Sequence, residues 1–437
     1  MTTPVSHERE QSPLLQRIAE DYHCVLQHYA EHGDPFRSFR ARAIEELYRL
    51  GIPTVRHEEW KYTNLYTLLN KGFTIAATDV HDSDISAITK EFERWGHVAV
   101  VQNGIFAASV SEQAVSLKEA AASDPILLSK VGSLATIENN AIVAWNAAFS
   151  SDGVAIKQKE AEPVEPLVLV SVVDASENNC MVHERHIVDI APGASATLVL
   201  VQRSRGEGHA LLNQVLEGWI GENASLTVLV IQDAASNSHT ITTHEFDIAR
   251  SGRLLMVSVS IGGGFVRNMP AARLSGEGAD ARLYGLTIAD GTMLVDHHTT
   301  VDHRVPHSTS DELYKAILDE RSTGVFNGKI YVRPKAQKTS AYQANRNIVL
   351  SPRATINTKP QLEIFADDVR CTHGCTVGKL DGEALFYLQA RGLSKKQAEA
   401  LLLTAFAGEI IGKIPYESIR SEMLARVEHL LHSDELA

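Results

Sequence analysis

The chain has 437 residues, 44% of them hydrophobic and 22% charged, which suits a soluble globular protein with two or three structural units. A formal charge of −13 argues against a nucleic-acid partner, because phosphate contacts need clustered Lys and Arg. Four cysteines (Cys24, Cys180, Cys371, Cys375) are too few for a disulfide framework, the segment Met1–Leu15 lacks the apolar core of a signal peptide, and no aliphatic run approaches the ~20 residues that cross a bilayer. The expectation is a cytoplasmic chain with reduced thiols and no membrane association.

Residues 1–75 read as an N-terminal helical domain. Ser12-Pro13 offers a cap and a first-turn proline, and Leu14, Leu15, Ile18, Tyr22 and Leu26 follow at helical spacing. Cys24 lies near that apolar stripe and reads as a packed thiol. Asp34-Pro35 starts a second helix carrying Phe36, Phe39, Ala43, Leu47 and Leu50, which Gly51 and Pro53 stop. Residues 76–159 form a mixed α/β segment leading into the core.

From residue 160 to 380 the period becomes two and turn residues take over. "HIVDIAPGASATLVLVQ" is a strand, a short Pro-Gly turn and another strand, and the unit returns as "QVLEGWIGENASLTVLVIQ", "HEFDIARSGRLLMVSVSI" and "ARLSGEGADARLYGLTI". The turn glycines Gly193, Gly221, Gly252 and Gly278 stand 28, 31 and 26 residues apart. A strand–turn–strand unit at such a period marks stacked coils that cannot bury their apolar faces singly. The fold class is therefore mainly β: a parallel β-helix (β-solenoid) with helical caps. An antiparallel sandwich also gives strands with regular turns and is the alternative.

Residues 381–437 turn helical again. "DGEALFYLQARG" is a short helix ended by Gly392, and Ser394–Gln397 is a capping box. Its helix stripes Ala398, Leu401, Leu402, Ala405, Phe406 and Ile410 along one face. A last helix follows Pro415. No G-x-x-x-x-G-K-[ST], H-E-x-x-H or G-x-S-x-G is present; "HERH" at 183–186 has the wrong spacing and sits beside a predicted strand. Nothing supports a kinase, hydrolase or hydride-transfer enzyme.

Two stretches hold metal-ligating residue types. "DHHTTVDHRVPH" (296–307) carries His297, His298, His303 and His307 with Asp296 and Asp302. If extended, His297 and His303 share a face ~20 Å apart, too far for one ion, so solvated or interstrand-paired imidazoles are expected. "DDVRCTHGCTVGKLD" (367–381) brackets His373 with Cys371 and Cys375. On a strand all three project one way, ~6.6 Å per step and ~13 Å end to end. That excludes a Cys371–Cys375 disulfide unless Gly374 bends the chain. By residues alone this is either half of a metal site or a strand with two buried thiols.

"RHEEWKYTNL" (56–65), "LYKAILDERSTGVFNGKI" (313–330), "NTKPQLEIFADDVRCTHG" (357–374) and "GKLDGEALFYLQARGLSKKQAEALLLTAFAGEII" (378–411) together resemble the SufB/SufD family of the Suf iron–sulfur cluster assembly machinery, in its SufD form. The resemblance covers most of the chain. It implies a right-handed parallel β-helix between N-terminal and C-terminal helical domains. It also implies a scaffold complex: pairing with SufB through the β-helix core and docking of the SufC ATPase, which carries the missing P-loop. The cofactor expected is a transient iron–sulfur cluster or iron in the complex. In this family flavin has been associated with the assembled complex, with no site legible here, and a homodimer of the isolated chain is compatible.

The SufB form is set aside because its cluster-forming cysteine would fall near Asn345, where no cysteine stands. The family's C-[ST]-H-G segment assigns His373, with Cys371, to nascent cluster formation or iron entry at the interface with SufB. Cys375 falls where the pattern has alanine and is the weaker metal candidate. SufC docking is carried onto the C-terminal domain, at Gln389, Arg391, Gly392 and Leu393. The alternatives are a purely structural partner without a ligand role and a β-helix enzyme acting on carbohydrate. The latter would need carboxylate clusters that Asp367-Asp368 does not supply.

Overall fold

Consecutive strands of the regular region go to opposite sheets, so each pairs in parallel with the strand two further along the chain. In the computed structural model, which describes residues 13–76, 82–159 and 165–432, this gives two ten-stranded sheets facing each other. One file of neighbours runs Ser195, Ser225, Arg253, Asp280, Thr309, Ser340, Arg370, in steps of 30, 28, 27, 29, 31 and 30 residues. The molecule is a β-solenoid and not a sandwich. The hairpin-like "HIVDIAPGASATLVLVQ" is a corner, because Cys180–Ile190 and Ser195–Arg205 lie in different sheets.

A left-handed residue recurs once per coil at that corner: Gly193, Asn223, Ser251, Gly278, His307 and Lys338, with φ from 55° to 74°. The N–H groups of Gly193, Asn223, Ser251, His307 and Lys338 donate to carbonyls one coil on, at Glu222, Arg250, Glu277, Gln337 and Asp368. The corner needs a conformation rather than a glycine, and Asn tolerates it best after Gly. Gly221 and Gly252, read as the turn positions, stand beside the left-handed residue instead.

Inside, the coils stack an apolar file on each sheet, from Leu169 through Leu200 and Val230, and from Ile190 through Ile220, Ile248 and Leu274. Gly285 leaves room for the ring of Tyr314, one coil later: a Cβ there would stand 2.3 Å from it.

Outside, each sheet is covered along its flank. Helices Arg37–Leu50 and Ala141–Phe149 lie in one cluster with Met181, Leu211, Val215 and Ile241 of the first sheet. On the second sheet, helix Asp82–Phe92 covers Val168, Val170 and Val172, which is why "LVLVSVVD" is buried on both sides. Helices Lys395–Ile411 and Glu417–His432 extend that cover over Leu286, Leu313 and Ile317. Lys315 anchors the former by donating to the Phe406 carbonyl at 2.9 Å, and Arg94 holds the latter through Glu422. The C-terminal helices are therefore flank covers, not the end cap expected.

The two ends of the solenoid differ. Antiparallel strands Ile105–Ser109 and Ala114–Ser116 finish the sheets at the first coil. The last coil, Thr355–Ile364 and Arg370–Gly378, has no strand beyond it among the described residues.

The second helix spans Arg37–Leu50 with Gly51 as its C-cap, and the capping box at Ser394 and Gln397 forms as read. Ser12 lies outside the described residues. Cys24 is exposed, on the solvent side of Pro13–His32, so the packed-thiol expectation fails there. No helix among the described residues is long and apolar enough to cross a membrane.

Candidate functional site

The open coil presents two parallel strands with unpaired backbone edges, which in a folded protein invite a further strand. Arg370–Gly378 follows Ser340–Val349 in unbroken register from Ser340 against Arg370 to Ile348 against Gly378. Gly374 therefore makes no bend. Cys371, His373 and Cys375 stay on one rail, ~13 Å from end to end, pointing into the mouth of the coil.

Their surroundings separate them. Cys371 is half-buried against the interior core, and burial pushes its thiol pKa up. His373 is exposed. Cys375 is exposed at the rim, where its Sγ donates to Thr358 Oγ1 at 3.3 Å across the mouth. Asn345 lies directly under Cys375 in register, buried, with its Nδ2 donating to the Tyr314 carbonyl at 3.1 Å. A Cβ on Gly374 would meet nothing within 4 Å among the described residues, and its φ needs no glycine. Among the described residues no three His, Cys, Asp or Glu side chains are grouped to hold a metal ion.

The 296–307 histidines do not converge. His297 and His303 do face one way, into the interior, but each is buried against hydroxyls: Thr287 at 3.2 Å for His297, Ser308 and Ser310 at 2.8 and 2.9 Å for His303. Burial lowers both to about 4, so they are neutral. His307 is the exposed corner residue. His298 serves the N-terminal domain, pairing with Asp296 at 2.9 Å and Glu59 at 3.2 Å. His297, His298 and His303 are paired to hydroxyls and carboxylates rather than to one another, and His307 is solvated.

That pairing shows what "RHEEWKYTNL" does. Trp60 covers the Arg267 guanidinium at 3.8 Å, Arg267 pairs with Asp296 and donates to the Glu59 carbonyl at 2.8 Å, and Thr63 donates to Asp296. Burial opposes ionisation of Asp296, but Arg267 and His298 outweigh it and hold the carboxyl at about 2. Hydrogen bonding from His298, against burial, holds Glu59 at about 2 as well, with Lys329 adding to it. The motif clamps the N-terminal helices onto the solenoid. "HERH" is structural too: His183 is packed under Trp145, and Arg185 pairs with Glu217 in the interior of that interface.

At the C-terminal domain, Gln389, Arg391 and Gly392 are exposed and Leu393 half-buried. Helix Gly382–Ala390 buries none of its residues, and it presents Phe386 and Tyr387, 74% and 58% exposed. Arg391 donates to Tyr387 Oη at 3.0 Å, tying that ring to the junction. These two aromatics escaped the sequence reading. Their signal was adjacency: on a helix, neighbours i and i+1 point about 100° apart and cannot both enter one core.

Fold and site together define a β-solenoid flanked by two helical units, with a Cys-x-His-x-Cys strand on its open last coil. Two family descriptions match this chain: "SUF system FeS cluster assembly, SufBD core domain" over residues 172–406, and "SufBD protein N-terminal region" over residues 19–165. The iron–sulfur cluster assembly protein SufD of Escherichia coli K12 is 29% identical over 394 residues, covering 88% of this chain and 90% of that one. A SufBD family iron–sulfur cluster assembly protein of Synechocystis is 30% identical over 88% of both chains, and SufD of Bacillus subtilis is 21% identical over 95% of this chain and 99% of its own. The chain belongs to the SufBD family of iron–sulfur cluster assembly proteins.

Proposed function

We propose that the chain is the SufD-type subunit of a scaffold complex, pairing with SufB at its open coil and docking the SufC ATPase on its C-terminal helices. The observation that carries this is the unfinished last coil, with ligand-type side chains aimed into a gap that none of the described residues fills. A second solenoid supplying the next strands would bury the edges of Thr355–Ile364 and Arg370–Gly378, and would bring its own donors opposite His373. Iron and sulfide are cargo in this reading. Neutral imidazole is an iron ligand and imidazolium a proton donor, so His373 serves either role, with Cys371 behind it. Cys375, engaged with Thr358, is secondary. The chain then works in the cytoplasm without catalytic chemistry of its own, and ATP hydrolysis resides in SufC.

Phe386 and Tyr387, with Gln389, Arg391, Gly392 and Leu393, supply the SufC surface, as exposed aromatics beside an Arg do in binding patches. Two substitutions test the arrangement by co-purification. Gly374→Arg, whose Cβ meets no described atom within 4 Å, should leave the isolated chain folded and abolish SufB binding. Phe386→Asp should remove SufC while SufB stays. Full SufB binding by Gly374→Arg would overturn the pairing surface. Deleting 381–437 is the poorer experiment, since it uncovers Leu286, Leu313 and Ile317.

A further inference from the structure

Beneath His373 in the same inward file stand Gln343 and then Glu312, each one coil lower. Further down the file are Leu283 and Met256, so the file changes from apolar to acidic only near the mouth. Glu312 and Gln343 are 1% and 2% exposed. The Glu312 carboxylate accepts from Thr299 Oγ1 at 3.2 Å and from Gln343 Nε2. Among the described residues the remaining oxygens, Glu312 Oε1 and Gln343 Oε1, have no partner, nor do Tyr314 Oη and His297 Nδ1, whose rings lie 5.1 Å apart beside them. Buried polar atoms are paired in more than ~90% of cases, so four orphans within neighbouring coils mark a place for ordered water. The open mouth lies two rungs away, ~10 Å, and is the way in.

We infer that Glu312 is the proton acceptor of the open-coil site, reached from it through water running past Gln343. This rests on the reading of that site as one where iron meets sulfur. A thiol or hydrosulfide that binds ferrous iron loses its proton: the S–H bond breaks, its electron pair becomes the Fe–S bond, and no electron is transferred. The proton goes to the Glu312 carboxylate, which becomes a neutral carboxyl and later returns the proton to solvent through the mouth. Burial, against the hydrogen bonds from Gln343 and Thr299, pushes this carboxyl up to about 7, where it takes and gives protons with equal ease. The titratable groups facing it are Tyr314 on its own strand, His297 across the interior, and Cys371, His373 and Cys375 above; Asp311 adjoins it on the outer face. Strands Thr323–Val332 and Thr355–Ile364 face the interior with Phe326, Ile330, Thr358 and Leu362, none of which titrates.

Difference infrared spectroscopy on the full chain between pH 5.5 and 8.5 is the first test. The inference requires a buried carboxyl band that disappears with a midpoint near pH 7 and is missing from Glu312→Gln. Absence of any such band in wild type overturns it, whatever the variant's stability. The second test follows iron and sulfide incorporation against pH in the complex with SufB and SufC. Glu312→Gln should slow assembly on the order of tenfold and flatten the step near pH 7, with Glu312→Asp recovering part of both. An unchanged profile in Glu312→Gln, beside failed assembly in His373→Ala, overturns this inference alone; wild-type assembly in His373→Ala overturns the site reading on which it stands.

Discussion

The two histidine-bearing stretches of the sequence exchange their apparent importance in the structure. The segment 296–307 has four imidazoles and two carboxylates, and the structure spends nearly all of them on architecture: His303 between two serines, His297 on a threonine, Asp296 between Arg267 and His298. The segment 371–375 has one imidazole, and it is exposed at an unfinished edge. What separates them is satisfaction. A polar group already paired inside its own chain holds the fold, and one left open at a fold boundary is available to a partner or cargo.

The largest effect should come from breaking the satisfied side. Arg267→Ala leaves Asp296 buried without its counter-charge, and should lower unfolding free energy by ~3–5 kcal/mol in denaturant titration of the isolated chain. His373→Ala in the same assay should change it by less than about 0.5 kcal/mol, as exposed substitutions do. Equal costs at the two positions would erase the comparison.

Next in size is the pH response. Burial lowers His183, His239 and His244 to about 3, and His297 and His303 to about 4. Their folded values lie below the unfolded ~6.5, so the stability of the neutral state is complete above that pH and is lost as pH falls toward 4. Glu312 and Glu245, raised to about 7, act in the opposite sense: the stability of their neutral forms is present below 4.5 and lost as pH rises to 7. Five histidines outnumber two glutamates, so the melting temperature should drop from pH 6.5 to 4.5. His303→Asn should shrink that drop, and His373→Ala should leave it unaltered. A melting temperature that rises on acidification would contradict the assignment.

The smallest effects sharpen the rail itself. Cys371→Ser should reduce cluster content in the complex by an intermediate amount, through its half-buried place behind His373, and Cys375→Ser should hardly change it. Iron and sulfide analysis ranks the three, and a Cys375→Ser defect larger than that of His373→Ala would move the site to the rim.

The solenoid was legible because its repeat is long, near-constant and written in β-branched strands. Its corners were legible only where the left-handed residue is Gly193 or Gly278; Asn223, Ser251, His307 and Lys338 fill the same position under tertiary constraint and carry no such mark. The flank positions of the C-terminal helices were hidden because "LVLVSVV"-type strands look alike whether a helix or another sheet covers them. Cys24 shows the complementary error, a residue near an apolar stripe but turned off it. Cys371, His373 and Cys375 were placed on one face by strand geometry alone. The file of Gln343 and Glu312 beneath them joins residues about 30 positions apart in the chain, which only the register reveals.

The claim that chemistry belongs to the open coil, and architecture to the paired histidines, is tested most directly in one preparation. The complex with SufB and SufC is purified without air from cells carrying either His373→Ala or His303→Asn, and its iron and sulfide are measured per complex. The account predicts an intact complex almost devoid of cluster for His373→Ala, and near wild-type content per folded complex for His303→Asn. Wild-type iron and sulfide in the His373→Ala complex would contradict it.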